Sequence, residues 1–79
     1  MPEVKWDIVK NLGILSEGAG GWKKEVNIVI WNERKPKIDL RAWNADHQKM
    51  GKGITLCKDE VIAFKKILDE IDIDKLDIE

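Results

Sequence analysis

Few side chains in this sequence could carry out covalent chemistry. Cys57 stands at the start of a predicted helix, where the helix dipole favours a thiolate, and His47 precedes it by ten residues as a conceivable base. A single cysteine at a helix start is more often a small substitute for a capping residue. Asp72 and Asp74 are neighbouring carboxylates in an acidic terminal segment, which is typical of a solvated chain end. We therefore expect no catalytic residue and no enzyme activity.

Sites for a metal or a cofactor are no better represented. A structural zinc site needs about four Cys or His ligands, and the chain has one residue of each kind. The segment GAGG, residues 18–21, precedes a predicted strand rather than a helix and lacks the Gly-Lys-Ser/Thr ending of a phosphate-binding loop. We expect no metal, no cofactor and no small-molecule substrate.

Basic and aromatic residues alternate with apolar ones in two segments, WKKEVNIVIWN (22–32) and KPKIDLRAWN (35–44). Successive side chains of a strand point to opposite faces, so the odd-numbered residues of both segments share one face. They are Lys23, Glu25, Asn27, Val29, Trp31, Lys37, Asp39, Arg41 and Trp43. The other face holds Val26, Ile28, Ile30, Ile38, Leu40 and Ala42. We expect this apolar face to form the core and the odd-numbered face to meet water.

The net charge of −1 hides an uneven distribution along the chain. Residues 20–53 carry eight Lys or Arg against four acids, and residues 54–79 carry four Lys against eight acids. Only the potential within a Debye length of about 8 Å acts on a bound polyanion. Lys and Arg neutralise phosphates and flat rings stack on unpaired bases, so the odd-numbered face predicts single-stranded nucleic-acid binding. The alternative is a protein-interaction surface for an acidic partner.

Periodicity predicts the elements that position these residues. Residues 4–16 predict a strand that breaks near Asn11, with Gly13 at a bulge or bend. Residues 22–31 and 37–43 predict a hairpin joined by five residues. Its expected pairs are Trp31 with Lys37, Asn27 with Arg41 and Glu25 with Trp43.

A polar loop (44–53) and a short strand around ITL (54–56) follow the hairpin. From Lys58 to about Ile71 the apolar period becomes that of an amphipathic helix. Cys57 and Glu60 resemble a capping box at its start. Residues 72–79 predict an acidic tail, either a frayed helix extension or a flexible end. The order of elements indicates an α+β fold, one antiparallel four-stranded sheet with one helix covering its apolar face.

The chain length of 79 residues predicts a single domain, 1–79, and chains this small often gain stability by oligomerisation. We expect a homodimer, with the apolar helix stripe as the dimer interface: Val61, Phe64, Leu68 and Ile71. One cysteine and the lack of an apolar run or signal segment predict a soluble, cytoplasmic protein without membrane contact.

Three segments together resemble a known family: KIDLRAW (37–43), KGITL (52–56) and the helix opening CKDEVIAFKKIL (57–68). They are similar to the single-stranded-DNA-binding domain of the positive cofactor four family of transcriptional coactivators. LSEGAGGWKKEVN (15–27) and WNADHQKMGKGITL (43–56) resemble its short bacterial branch, the YdbC type. The resemblance covers roughly residues 5–71.

The resemblance implies a curved four-stranded antiparallel sheet with a C-terminal helix, and two chains that pair mainly through their helices. It also implies sequence-tolerant binding of single-stranded DNA in transcription regulation or in replication and repair. RNA is an alternative ligand, since nothing in the sequence addresses the 2′-hydroxyl. Arg41 matches the family's phosphate- or base-contacting arginine, and Trp43 matches the aromatic region after it. The predicted nucleic-acid-binding residues are Lys23, Lys24, Asn27, Trp31, Lys37, Arg41, Trp43, Lys49 and Lys52.

Overall fold

The computed structural model describes residues 4–78. It contains one antiparallel sheet in the strand order β1-β2-β3-β4, followed by one α-helix. The elements are β1 (Trp6–Glu17), β2 (Lys23–Trp31), β3 (Lys37–Trp43), β4 (Met50–Leu56) and α1 (Lys58–Glu70), with short 3₁₀ turns at Ala19–Gly21 and Ile73–Lys75. The predicted α+β fold of four antiparallel strands and a C-terminal helix is confirmed. No helix within residues 4–78 has the length and apolar character to span a membrane.

Strand β1 is irregular along its whole pairing with β2. Its register shifts three times, and each shift leaves one extra residue on β1: Val9, Leu12 and Leu15. The middle shift lies between Asn11 and Gly13, where the sequence predicted a bulge. The strand continues through it to Glu17 instead of breaking. Because bulges bend and twist a strand, three of them make β1 wrap around β2.

The register of the β2–β3 hairpin differs from the predicted one. Val29 pairs with Lys37, Asn27 with Asp39, Glu25 with Arg41 and Lys23 with Trp43. The expected pairs of Trp31 with Lys37, Asn27 with Arg41 and Glu25 with Trp43 are wrong by two residues. The end of β2 runs past the hairpin and pairs with β1, Trp31 lying opposite Trp6. A shift of two keeps every side chain on its predicted face.

Strand β4 is longer than the predicted strand around ITL. It begins at Met50, so the polar loop ends at Lys49 and the prediction of a loop through residue 53 is wrong. Gly53 pairs with Arg41, and Met50 pairs with Trp43 across a register shift. Gly53 lets this segment join the sheet, since the glycine backbone can approach β3 closely.

Burial reverses the predicted roles of the two sheet faces. The buried side chains among residues 4–78 all carry odd numbers: Val29, Trp43, Glu25, Asn27 and Asp39. The even-numbered apolar residues, Val26 to Ala42, are only half-buried. The prediction that the even-numbered face is the core and the odd-numbered face meets water is therefore wrong.

Curvature of the sheet explains this reversal. Trp6 lies opposite Trp31 at one end of β2, and Trp43 lies opposite Lys23 at the other. Eight residues of flat strand would separate these positions by roughly 26 Å. The rings of Trp6 and Trp43 are nevertheless 5.9 Å apart between centroids. The sheet thus curls over its odd-numbered side.

We call that side the inner face. It consists of the odd-numbered residues of β2 and β3 and their register partners on β1: Trp6, Ile8, Asn11, Ile14 and Glu17. The even-numbered side of β2 and β3 is the outer face.

Helix α1 spans Lys58–Glu70, as the apolar period predicted. The backbone N–H of Cys57 donates to Oε1 of Glu60 at 3.0 Å, which is one half of the predicted capping box. This bond lowers the pKa of Glu60 below its ordinary value. The helix packs mainly against β3 and β4, and none of its residues is buried. It therefore covers part of the outer face and leaves apolar surface open.

Candidate nucleic-acid interface

A polar network lies on the inner face. The side-chain Nδ2 of Asn27 donates to Oε1 of Glu25 at 3.0 Å, and Nδ2 of Asn11 donates to Oδ1 of Asn27 at 2.7 Å. Nε2 of His47 lies 3.0 Å from both oxygens of Glu25. An ionised carboxylate only accepts hydrogen bonds, so this histidine nitrogen is the donor. The network ties β1, β2 and the 44–49 loop together.

Glu25 is held in its ionised form by these partners. Burial raises the pKa of Glu25, but the hydrogen bonds from Asn27 and His47 and the charges of His47 and Lys23 outweigh burial, and the pKa lies below its ordinary value. The residue is only 4% exposed. The inner face therefore contains a fixed negative charge close to its basic residues.

A cleft of about 600 Å³ opens above this network. Ile8 and Ile14 of β1 form one wall, and the 44–49 loop with His47 forms another. Lys23 also lines the cleft; its side chain is 42% exposed and its Nζ lies 3.8 Å from Oε1 of Glu17. The cleft thus combines apolar walls, a polar floor and one basic side chain.

A second cluster on the inner face surrounds Arg41. Its guanidinium carbon lies 4.7 Å from the ring centroid of Trp31, in cation–π geometry. Nε of Arg41 donates to Oδ2 of Asp39 at 2.7 Å, and the hydroxyl of Thr55 donates to Oδ1 of Asp39 at 2.9 Å. The carboxylate of Asp39 is completely buried. Asp39 therefore fixes the guanidinium and neutralises its charge.

Gly53 makes room for this arrangement. A Cβ at this position would collide with the Cβ of Arg41 and the carbonyl oxygen of Leu40, and it would reach Nε of Arg41. At the neighbouring Gly51 a Cβ would meet Ala42 at an ordinary 3.6 Å. Of these two glycines, only Gly53 is thus required by the packing around Arg41.

The two predicted stacking tryptophans differ in accessibility. Trp31 is half-buried beneath Arg41, whereas Trp43 is completely buried and packs against Trp6 and against His47, at 5.7 Å between ring centroids. Nε1 of each indole is buried without a hydrogen-bond partner among residues 4–78. In this conformation Trp43 presents no ring surface to a ligand, and it packs against His47, which lines the cleft.

The predicted basic residues do not all meet on the inner face. Lys23 and Arg41 lie there, together with Asn27, which is buried in the polar network. Lys24 is exposed at an outer-face position opposite Ala42. Lys37 occupies an inner-face position opposite Val29, but it is exposed at the start of β3 near α1, where its charge helps to lower the pKa of Glu60. Lys49 and Lys52 are exposed before and within β4.

The helix residues predicted for dimerisation are accessible to different degrees. Phe64 is 45% exposed, and Leu68 and Ile71 are each 38% exposed. Val61 is half-buried. A groove of about 400 Å³ runs between this helix and the outer face, from Leu40, Ile54 and Leu56 to Ala63, Phe64 and Ile67.

Several residues of the inner face were not predicted from the sequence. Asn11 and His47 belong to the Glu25 network, and Thr55 belongs to the Asp39 cluster. Asn11 is placed there by the β1 bulges, of which the sequence predicted only the one at Gly13. Asp39 and Arg41 are both odd-numbered, so the alternation of side chains along the strand did place them on one face. The burial of Asp39, however, follows from the curl of the whole sheet.

Comparison with known proteins relates the sequence of this chain to a protein family. Residues 19–67 match the family described as Transcriptional Coactivator p15 (PC4), and they include β2, β3, β4 and most of α1. The chain is also 39% identical, over 69 residues, to an uncharacterized protein of Treponema pallidum (strain Nichols). That alignment covers 87% of this chain and 81% of the relative.

Proposed function

Because this chain belongs to the PC4 (transcriptional coactivator p15) family, we propose that it is a non-catalytic protein that binds single-stranded DNA through the inner face of its sheet. The proposed role is in transcription regulation or in replication and repair. The proposed binding surface runs from the Arg41–Trp31 pair to the cleft beside Lys23.

The observation that carries this proposal is the placement of Arg41 over Trp31. A guanidinium held over an indole, with its central carbon 4.7 Å from the ring centroid, offers hydrogen-bond donors beside an aromatic surface to an unpaired nucleotide. Nη2 of Arg41 has no hydrogen-bond partner within the described chain. The buried Asp39 holds the group in place before any ligand arrives, which reduces the entropy lost on binding.

The lysines supply the attraction to phosphate. Lys23 lines the cleft, and Lys24, Lys37, Lys49 and Lys52 are exposed elsewhere on the strands and the 44–49 loop. Because Asp39 already neutralises Arg41, we expect the salt dependence of binding to come mainly from these lysines.

Titration with oligothymidine tests the proposal. Binding should quench the tryptophan fluorescence, and Trp31→Phe should remove much of that quenching because Trp31 is the accessible indole of the Arg41 pair. The logarithm of the affinity should fall with the logarithm of the salt concentration by about 0.7 per phosphate neutralised.

A matched pair of variants locates the surface. Lys23→Gln should weaken binding and flatten the salt dependence, whereas Lys66→Gln, an equal charge change on the exposed helix, should leave both nearly unchanged. Equal effects of the two variants, or no salt-dependent binding at all, would refute the proposal. Equal affinity for duplex DNA and for a polyacidic peptide would instead favour the protein-interaction alternative.

We further propose that the protein is a homodimer joined through α1. The partly exposed Phe64, Leu68 and Ile71 and the open groove beside them support this, since a single chain leaves them in contact with water. Two copies would bring two inner faces into one particle.

A further inference from the structure

We propose that the cleft on the inner face holds an unpaired guanine base, whose Watson–Crick edge is recognised by Oε2 of Glu25 and Oδ1 of Asn11. This inference rests on the proposed function, because it assigns a base preference to the same nucleic-acid surface.

The first step of the inference concerns which acceptors are free. Oε1 of Glu25 accepts from Asn27, Asn11 and His47, whereas Oε2 accepts only from His47 within residues 4–78. Asn11 uses its Nδ2 as donor towards Asn27 and Glu25. Its Oδ1 accepts no hydrogen bond from the described chain. Asn11 and Glu25 both line the cleft, and each has an acceptor oxygen with spare capacity.

The second step is to ask which base edge matches two acceptors. Guanine presents a ring N–H and an amino group side by side. Thymine presents one N–H between two carbonyls, and adenine and cytosine each present an amino group beside a ring acceptor. Unpaired bases are recognised on this edge. A base that left an acceptor of the cleft without a donor would bury that oxygen without a hydrogen bond, and this desolvation would weaken binding. Guanine is the base that satisfies both oxygens.

The third step concerns the charge of Glu25. A carboxylate close to bound phosphates is unfavourable unless it receives strong donors, yet Asn27 and His47 keep this one ionised and fixed in place. Hydrogen bonds to an ionised acceptor are stronger than those between neutral groups. The fixed charge thus favours a base with two donors over a base with one.

The walls of the cleft suit a flat base. Ile8 and Ile14 provide apolar contact, and the imidazole of His47, with a side chain 39% exposed, provides a planar surface. The volume of about 600 Å³ lies within the range of roughly 300–1,000 Å³ that is usual for small-molecule sites.

Base substitution in the ligand tests the inference with the unaltered protein. Oligothymidine strands carrying one central guanine, inosine, adenine or cytosine would be compared by fluorescence anisotropy. A bidentate contact discriminates by about 1–3 kcal/mol, so the guanine strand should bind at least about fivefold more tightly than oligothymidine. Inosine lacks the amino group and should lose most of this gain, and adenine, which stacks equally well, should show none of it.

Glu25→Gln, which replaces one acceptor oxygen by a donor, should bring the ratio of guanine to thymine affinity towards one. Glu17→Gln removes an equal charge beside the same Lys23 and should keep the ratio. If Glu25→Gln does not fold, the comparison of the different strands on the wild-type protein is sufficient to test the inference.

The outcomes separate this inference from the proposed function. Tight binding of all strands with equal affinity would overturn the guanine site and leave single-strand binding intact. Inosine binding as tightly as guanine would also overturn it. Binding of no strand would overturn both.

Discussion

Asp39 is a charged residue with no exposure to solvent, and each of its oxygens has a partner, Arg41 or Thr55. Removing one member of a buried ion pair leaves the other charge uncompensated, at a cost of about 3–5 kcal/mol. We therefore expect Arg41→Gln to lower the free energy of unfolding by several kcal/mol, measured by urea denaturation. The double variant Asp39→Asn/Arg41→Gln should recover much of this loss. A double variant as unstable as the single one would contradict the role given to the pair.

Glu25 gives the stability of the protein a dependence on pH. Its pKa in the folded chain lies below the ordinary 4.5, so the folded state binds its proton less readily than the unfolded state. The resulting stabilisation is present above about pH 4.5 and is lost as the pH falls through the lower, folded pKa. Glu25→Gln should therefore flatten the acid side of a plot of urea midpoint against pH.

Part of that acid dependence should persist in Glu25→Gln, because the pKa of Glu60 is also lowered, by its bond from the Cys57 backbone. Glu60→Gln serves as the comparison at an exposed position. If the urea midpoint of Glu25→Gln fell as steeply with decreasing pH as that of the wild type, the Glu25 carboxylate would contribute nothing to the acid dependence of stability.

At the scale of elements, the β3–β4 pairing depends on one glycine. A Cβ at residue 53 would collide with Arg41 and with the backbone of Leu40, whereas a Cβ at residue 51 meets Ala42 in ordinary contact. Gly53→Ala should therefore destabilise the protein and weaken oligothymidine binding by displacing Arg41, and Gly51→Ala should do neither strongly. Thermal unfolding and fluorescence titration of the two variants would test this. Equal behaviour of both would refute the packing argument.

The sequence predicted the elements better than it predicted the surfaces they form. Strand parity correctly placed Lys23, Trp31, Arg41 and Trp43 on one face, because a strand alternates whatever its register. It could not show which face lies inside. Which face lies inside depends on the pairing of the bulged β1 with β2 and on the contact of Trp6 with Trp43. Both bring together residues that are distant in the sequence. The helix was predicted closely because its period and its cap are local.

At the scale of the whole molecule, apolar surface is left uncovered on the side away from the inner face. We expect Phe64→Glu to convert the proposed dimer into a monomer, because it places a charge among Leu68, Ile71 and the open groove. Lys66→Glu, on the opposite side of the exposed helix, should leave the dimer intact. Light scattering at micromolar concentration would measure both. A wild-type chain that is monomeric under these conditions would refute the dimer.

The three bulges of β1 have a consequence for how the protein avoids fibre formation. β1 is an outermost strand of the sheet, twelve residues long, and a straight, apolar outermost strand would invite other chains to add to it by backbone pairing. Val9, Leu12 and Leu15 interrupt its hydrogen-bonding period at every third residue, so an incoming straight strand could pair with only a few residues at a time. The irregularity that curls the sheet thus also protects the protein from templated aggregation.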